Sequence, residues 1–162
     1  MIAVRLVRLI EDNSEDLTEE LLAKYYASPR TADLRKVPQQ ELRERSHQIL
    51  RHLSDWLLSK SSPDIELRYR EIGGLRASQG ASLADVIWGI VLMKEHIWDF
   101  LQREGFLRGA LEIYGAMELQ RLLDQFFDHA ICFCAEGYEM AKLNPAAVPT
   151  AARGAGAEVT LS

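Results

Sequence analysis

The sequence predicts an all-α protein, a helical bundle of four main antiparallel helices plus N-terminal helical segments. Three observations carry this expectation. Apolar residues recur at spacings of three and four through most of the chain. No stretch of useful length alternates in the manner of a strand, and the breaks between periodic runs carry helix start and stop signals. With 162 residues there is room for one domain with a sizeable core and too little for two ordinary ones.

In chain order, Ile2 to about Asp12 has helical character, with Ile2, Leu6, Leu9 and Ile10 on one face. Ser14 reads as a fresh N-cap, with Glu15 and Asp16 in the first turn where the helix dipole favours acids. Leu17, Leu21, Leu22 and Tyr25 continue that helix to Ser28-Pro29, because the residue before a proline is driven out of the helical region. The two pieces are either one kinked helix or two. Residues 28–38 form a connector bracketed by Pro29 and Pro38, with a helical turn at Ala32–Lys36.

An amphipathic helix then runs from Pro38 to about Ser59. Its core face is Leu42, Ile49, Leu50, Leu53, Trp56 and Leu57, opposite Glu41, Glu44 and Lys60. Ser62-Pro63 supplies a cap and an N1 proline for the next helix, lined by Ile65, Tyr69, Ile72 and Leu75. Gly73-Gly74 either interrupts it or admits a close neighbour, since each glycine weakens a helix by about 1 kcal/mol.

Ser82 to Arg103 is the most continuously apolar segment. Ser82 caps it, Asp85 follows three residues on, and Leu83, Val86, Ile90, Met93, Ile97 and Phe100 fall on one face. Ile87, Val91, Trp98 and Leu101 widen that face so far that the helix is expected at the centre of the bundle. Gly105 ends it. A final helix spans about Leu107 to Lys142, with a bend expected near Gly115 because Leu111, Tyr114 and Met117 sit at a shifted angle. The domain is therefore placed at 1–143, and the Ala/Gly/Pro-rich stretch 144–162 is expected to be a flexible tail or linker.

A formal net charge of -5 argues against nucleic acid and against an anionic membrane surface as partners. Cys132 and Cys134 are two apart in a helix and point to different sides, so free thiols in a reducing compartment are expected. The arginines in MIAVRLVRLIEDN make a poor signal peptide, and no run is long and apolar enough to span a bilayer. A cytoplasmic location follows.

No catalytic pattern is present: no phosphate-binding glycine loop, no nucleophile elbow, no kinase signature. The chain is therefore expected not to be an enzyme, and no cofactor and no metal are assigned. His129 and Cys132 make half a zinc site against the alternative of an ordinary surface pair. A haem-binding, globin-like sensor would use His96 or His129 as axial ligand and a pocket between the Trp98 and Phe126 helices; packed histidines are the alternative. His47 falls on the solvent side of its helix and His52 at the core edge. Lys94 falls inside the apolar stripe, so its stem passes the core to water, or it pairs with a buried carboxylate or an acidic ligand.

Trp88 and Leu92, with His96 and Asp99 below them, lie on the opposite side of the central helix. They form the candidate partner or dimer surface, unless a further helix, the N-terminal one, covers them.

The run RYREIGGLRASQGASLADVIWGIVLMKEHIWDFL, from Arg68, resembles the N-terminal domain of RsbRD-type proteins, the RsbT co-antagonist regulators of bacterial stress signalling. It is also similar to helical input domains ahead of some sensor histidine kinases. Arg70-Glu71-Ile72-Gly73, Arg76, Gly80 and Ser82-Leu83 carry the likeness, and 38–59 and 103–142 fit more loosely. The resemblance implies an all-helical, dimeric sensory or regulatory module without catalytic residues. In that family an output domain normally follows, and here a linker-like tail follows Lys142. The function expected is non-catalytic bacterial signalling through a homodimer or a signalling-protein partner.

Overall fold

The computed structural model describes residues 2–104 and 108–145, and every regular element among them is helical. Among the described residues six α-helices occur in order: α1 (Ile2–Asp12), α2 (Ser14–Ala27), α3 (Gln39–Arg51), α4 (Ser62–Ser78), α5 (Leu83–Arg103) and α6 (Ala110–Leu143). A 3-10 segment, Pro29–Lys36, joins α2 to α3, and a π-helical turn, Asp55–Ser59, precedes α4. No described helix is long and apolar enough to cross a membrane.

The amino-terminal pieces are two helices, separated at Asn13, whose side-chain amide donates to the Leu9 carbonyl (2.8 Å). Ser14 is not the capping residue expected; it lies inside α2, buried, and its carbonyl accepts from the Thr18 hydroxyl (2.7 Å). The connector is 3-10 helical over Pro29–Lys36 except at Thr31, whose backbone leaves helical geometry and kinks it. Ser28 Oγ accepts from the Arg30 N–H (3.2 Å), and the buried Thr31 hydroxyl donates to the Tyr25 carbonyl (2.7 Å).

The helix expected from Pro38 to Ser59 stops at Arg51. His52 leaves helical geometry, and the chain then coils through a wider turn in which the Lys60 N–H reaches back five residues to Asp55 (2.7 Å). One extra residue per turn re-aims the side chains. Trp56 still packs on the core, its ring 6.0 Å from Tyr69 and 5.8 Å from Phe126. The cap of α4 is Ser61, one residue before the expected Ser62: Asp64 accepts from the Ser61 N–H (3.1 Å) and hydroxyl (2.7 Å).

Gly73-Gly74 does not break α4. A Cβ on Gly73 would collide with the Cys134 carbonyl of α6, and a Cβ on Gly137 would collide with the Arg70 backbone. The two helices therefore meet main chain to main chain, which only glycine permits. Gly80 has φ of 79°, a left-handed residue that turns α4 into α5.

Ser82 caps α5 as expected, accepting from the Asp85 N–H (3.3 Å). The connector locks this start: Asp33 accepts from the Ser82 N–H and Asp85 accepts from the Asp33 N–H, both at 2.8 Å. Held in this way, Asp33 has a carboxyl below its ordinary range, chiefly through the Ser82 bond. α5 is wrapped nearly all round; along it only Ala84, Glu95, Asp99, Gln102 and Arg103 are exposed. α6 runs unbroken through Gly115, which instead admits Ile2 of α1 at close range. The core joins Leu21, Leu50, Leu53, Ile97, Leu119 and Phe127, all fully buried. Gly105, Leu107 and the tail from 146 onward lie outside the described residues.

Candidate functional site

The segment that carries the family likeness runs through α4 and α5, and two of its marked arginines tie it to neighbouring helices. Arg70 bridges Glu66 of its own helix (2.8 Å) and Glu136 of α6 (2.7 Å). Arg76 is 4% exposed and reaches Glu41 of α3 (2.7 Å) and Gln79 (2.9 Å); Gln79 in turn donates to Glu41 (2.9 Å). A buried guanidinium needs such partners, because an unpaired charge out of water is costly.

Beside that ion pair, α3 stands away from α4 and α5 and leaves a cavity of about 70 Å3. Its walls are apolar: Leu42 and Ile49 from α3, Ile72 from α4, Ile90 and Met93 from α5, Phe127 beneath. Ile49, Ile72 and Ile90 are half-buried, so the mouth lies on their side. Tyr25, Ser46, Arg45 and Arg76 supply the polar atoms. The Tyr25 hydroxyl donates to the Gly89 carbonyl (2.9 Å). Burial raises the Tyr25 phenol above its ordinary pKa, against the Ser46 hydroxyl bond and the Arg76 charge.

Arg45 differs from its neighbours. It is half-buried, and among the described residues no hydrogen bond or ion pair holds its guanidinium. Burial, then Arg68, then Arg76 lower its pKa, and Glu41 and Glu71 offset part of this. Arg68 itself is taken by Gln48 (2.7 Å). Sequence reasoning missed this site. Its polar groups come from helices far apart in the chain, and periodicity placed none of them together.

The four residues of the candidate partner surface are not equally open. Asp99 is exposed and pairs with Lys24 of α2 (3.0 Å). Trp88 and Leu92 are half-buried, with the Arg30 guanidinium 4.1 Å from the Trp88 ring centre. His96 is covered: it is 2% exposed beneath α2, with Nε2 3.0 Å from the Leu17 carbonyl and 3.6 Å from Glu20. Nδ1 is buried with no partner. Burial, then Lys24, lower its pKa; the Leu17 bond, Glu20 and Asp99 oppose this.

The other singled-out residues separate. His129 and Cys132 are exposed, His52 is exposed rather than at the core edge, and His47 is half-buried with Nε2 3.4 Å from Ser14 Oγ. Among the described residues no group of three or more His, Cys, Asp or Glu is placed to hold a metal ion. Cys134 is buried and its thiol is pushed up to about 11 by desolvation, against the Arg76 charge. Lys94 pairs with Asp124 of α6, the ion-pair alternative, although Asp124 keeps 41% of its side chain in water. The cavity is lined from α5 by Ile90 and Met93 and from α6 by Phe127, and neither Trp98 nor Phe126 lines it.

Among the described residues an apolar surface at the start of α6 is left exposed. Leu111, Tyr114 and Met117, three apart at the start of α6, are 66%, 74% and 65% exposed, with Ile113 beside them at 51%. The shifted phase of these residues, which in the sequence predicts a bend, instead puts them on an exposed face of a continuous α6.

Residues 15–153 match the family model described as the RsbT co-antagonist protein rsbRD N-terminal domain, a span that takes in α2 to α6. No curated protein and no solved structure matches the chain.

Proposed function

The chain belongs to the RsbT co-antagonist protein rsbRD N-terminal domain family, a regulatory family of stress signalling, and from that premise we propose that it is a non-catalytic bacterial signalling domain acting by self-association or by docking on a signalling partner. The observation that carries the contact-based reading is the open stripe Leu111, Tyr114, Met117 on α6. Large apolar groups clustered on one exposed helix face mark protein contacts more often than isolated ones do. The stripe also sits on the helix with the best means of passing a movement on. α6 is joined to α4 through glycines and to Arg70 through Glu136, so a push on its amino end moves α4 with it.

Trp88, Leu92 and Asp99 make the second candidate face of the same reading, with His96 supporting it from beneath. Sedimentation across a concentration series is the test. We expect a dimer in the high micromolar range that Tyr114→Asp converts to monomer and Trp88→Asp leaves intact. A dimer lost only in Trp88→Asp moves the contact to the second face, and a strict monomer for the unmodified chain removes self-association.

A further inference from the structure

Beyond a role in protein contact, we propose that the cavity between α3, α4 and α5 is a binding site for a short-chain monocarboxylate, with the carboxylate on Arg45 and the alkyl tail inside. Three observations converge on this ligand class. Most of the chamber wall is apolar, with Leu42, Ile49, Ile72, Ile90 and Met93 favouring an alkyl tail beside the polar atoms of Tyr25, Ser46 and Arg76. Its volume of about 70 Å3 is roughly half that of an engineered cavity that takes up benzene, so the tail has about three to five carbons.

The third is Arg45, a cation lining the same chamber with no hydrogen-bond or ion-pair partner among the described residues. Glu41 and Glu71 act on it only at longer range, whereas Arg76 holds the Glu41 carboxylate and Arg68 donates to the Gln48 amide oxygen. A half-buried guanidinium near Arg68 and Arg76, which Glu41 and Glu71 offset only in part, gains from one added anion, and its planar fork matches a carboxylate through two parallel bonds. A cationic residue in the lining of a largely apolar chamber suits a single negative charge with a tail. Phosphate, more highly charged and without a tail, would leave the chamber empty.

Occupancy would also have a route outward. A tail in the chamber touches α3, α4 and α5 at once, and Arg45 sits one turn from the Glu41 that holds Arg76. The ligand therefore closes the gap between α3 and the α4–α5 hairpin.

Calorimetric titration of the purified chain with valerate tests this, alongside octanoate, valeramide and inorganic phosphate. The expected result is one valerate per chain, with binding weaker by about tenfold or more for octanoate, too long for the chamber, and for valeramide, which lacks the charge. Arg45→Met should lose valerate by a similar factor, and Ile90→Phe, which fills the chamber from the α5 wall, should lose it while keeping the native helical spectrum. The proposal is overturned if the unmodified chain takes up no valerate at about 10 mM. It is equally overturned if Arg45→Met and Ile90→Phe both bind valerate normally, or if phosphate binds as tightly as valerate.

Discussion

Arg76 Nη1 lies 2.7 Å from Glu41 Oε1, and the two ends of this pair differ sharply in exposure: the arginine side chain keeps 5% of its surface and the glutamate 26%. Removing the glutamate strands a charge that has nowhere to go. Removing the arginine leaves a carboxylate that can turn to water. Glu41→Met is therefore expected to destabilise the fold by about 3 kcal/mol, and Arg76→Met by less. Denaturant titration of both single variants and the double variant checks this; equal losses for the two singles would contradict it.

Two adjacent glycines of α4 should respond in opposite directions to alanine. At Gly73 the new methyl meets the Cys134 carbonyl and forces α4 from α6, a cost of about 1–3 kcal/mol or more. At Gly74 the nearest atoms, Ala141 Cβ and Gly137 O, stand 3.7 Å away, which is ordinary contact. Gly74→Ala is thus expected to gain up to about 1 kcal/mol of helix propensity. Melting temperatures read the sign directly.

Acid should act through His96. Its folded pKa lies below the unfolded value of about 6.5, chiefly by burial. The unfolded chain then binds a proton that the folded chain refuses, so this contribution is complete above about pH 6.5 and is lost as pH falls from there toward the folded pKa. His96→Gln keeps a donor for the Leu17 carbonyl and cannot titrate. Its melting temperature should fall less than that of the unmodified chain between pH 7.5 and 5; parallel curves would show that His96 carries none of the effect.

Thiol counting should resolve the two cysteines. Cys132 is exposed, whereas Cys134 is buried with a pKa pushed up to about 11 and so holds almost no thiolate near neutrality. A disulfide reagent at pH 7.5 should titrate one thiol in the native chain and two in denaturant. Rapid reaction of two in the native chain would mean that the α4–α6 seam opens readily.

What the sequence revealed was mostly what a single helix decides for itself. The start of α5 was legible because Ser82 and Asp85 lie three apart and act locally. The end of α3 is hidden in the sequence because Leu53, Trp56 and Leu57 keep helical spacing while the backbone widens beneath them. For Gly73-Gly74 composition offered two outcomes, and the choice lay in a carbonyl 61 positions away on α6. His96 has the spacing of a surface residue, and only the placement of α2 covers it. The chamber is the extreme case, since Tyr25, Arg45, Ile72 and Ile90 share no local pattern and meet only after packing.

The places where α4 touches α6 have a genetic consequence. At Gly73 and Gly137 the opposing atoms belong to the peptide backbone itself, which every amino acid carries in the same position. A second mutation across the seam can shrink a side chain, but it cannot shrink a carbonyl. Suppressor screens starting from a bulkier residue at either site should therefore return true reversion far more readily than compensation by the facing residue.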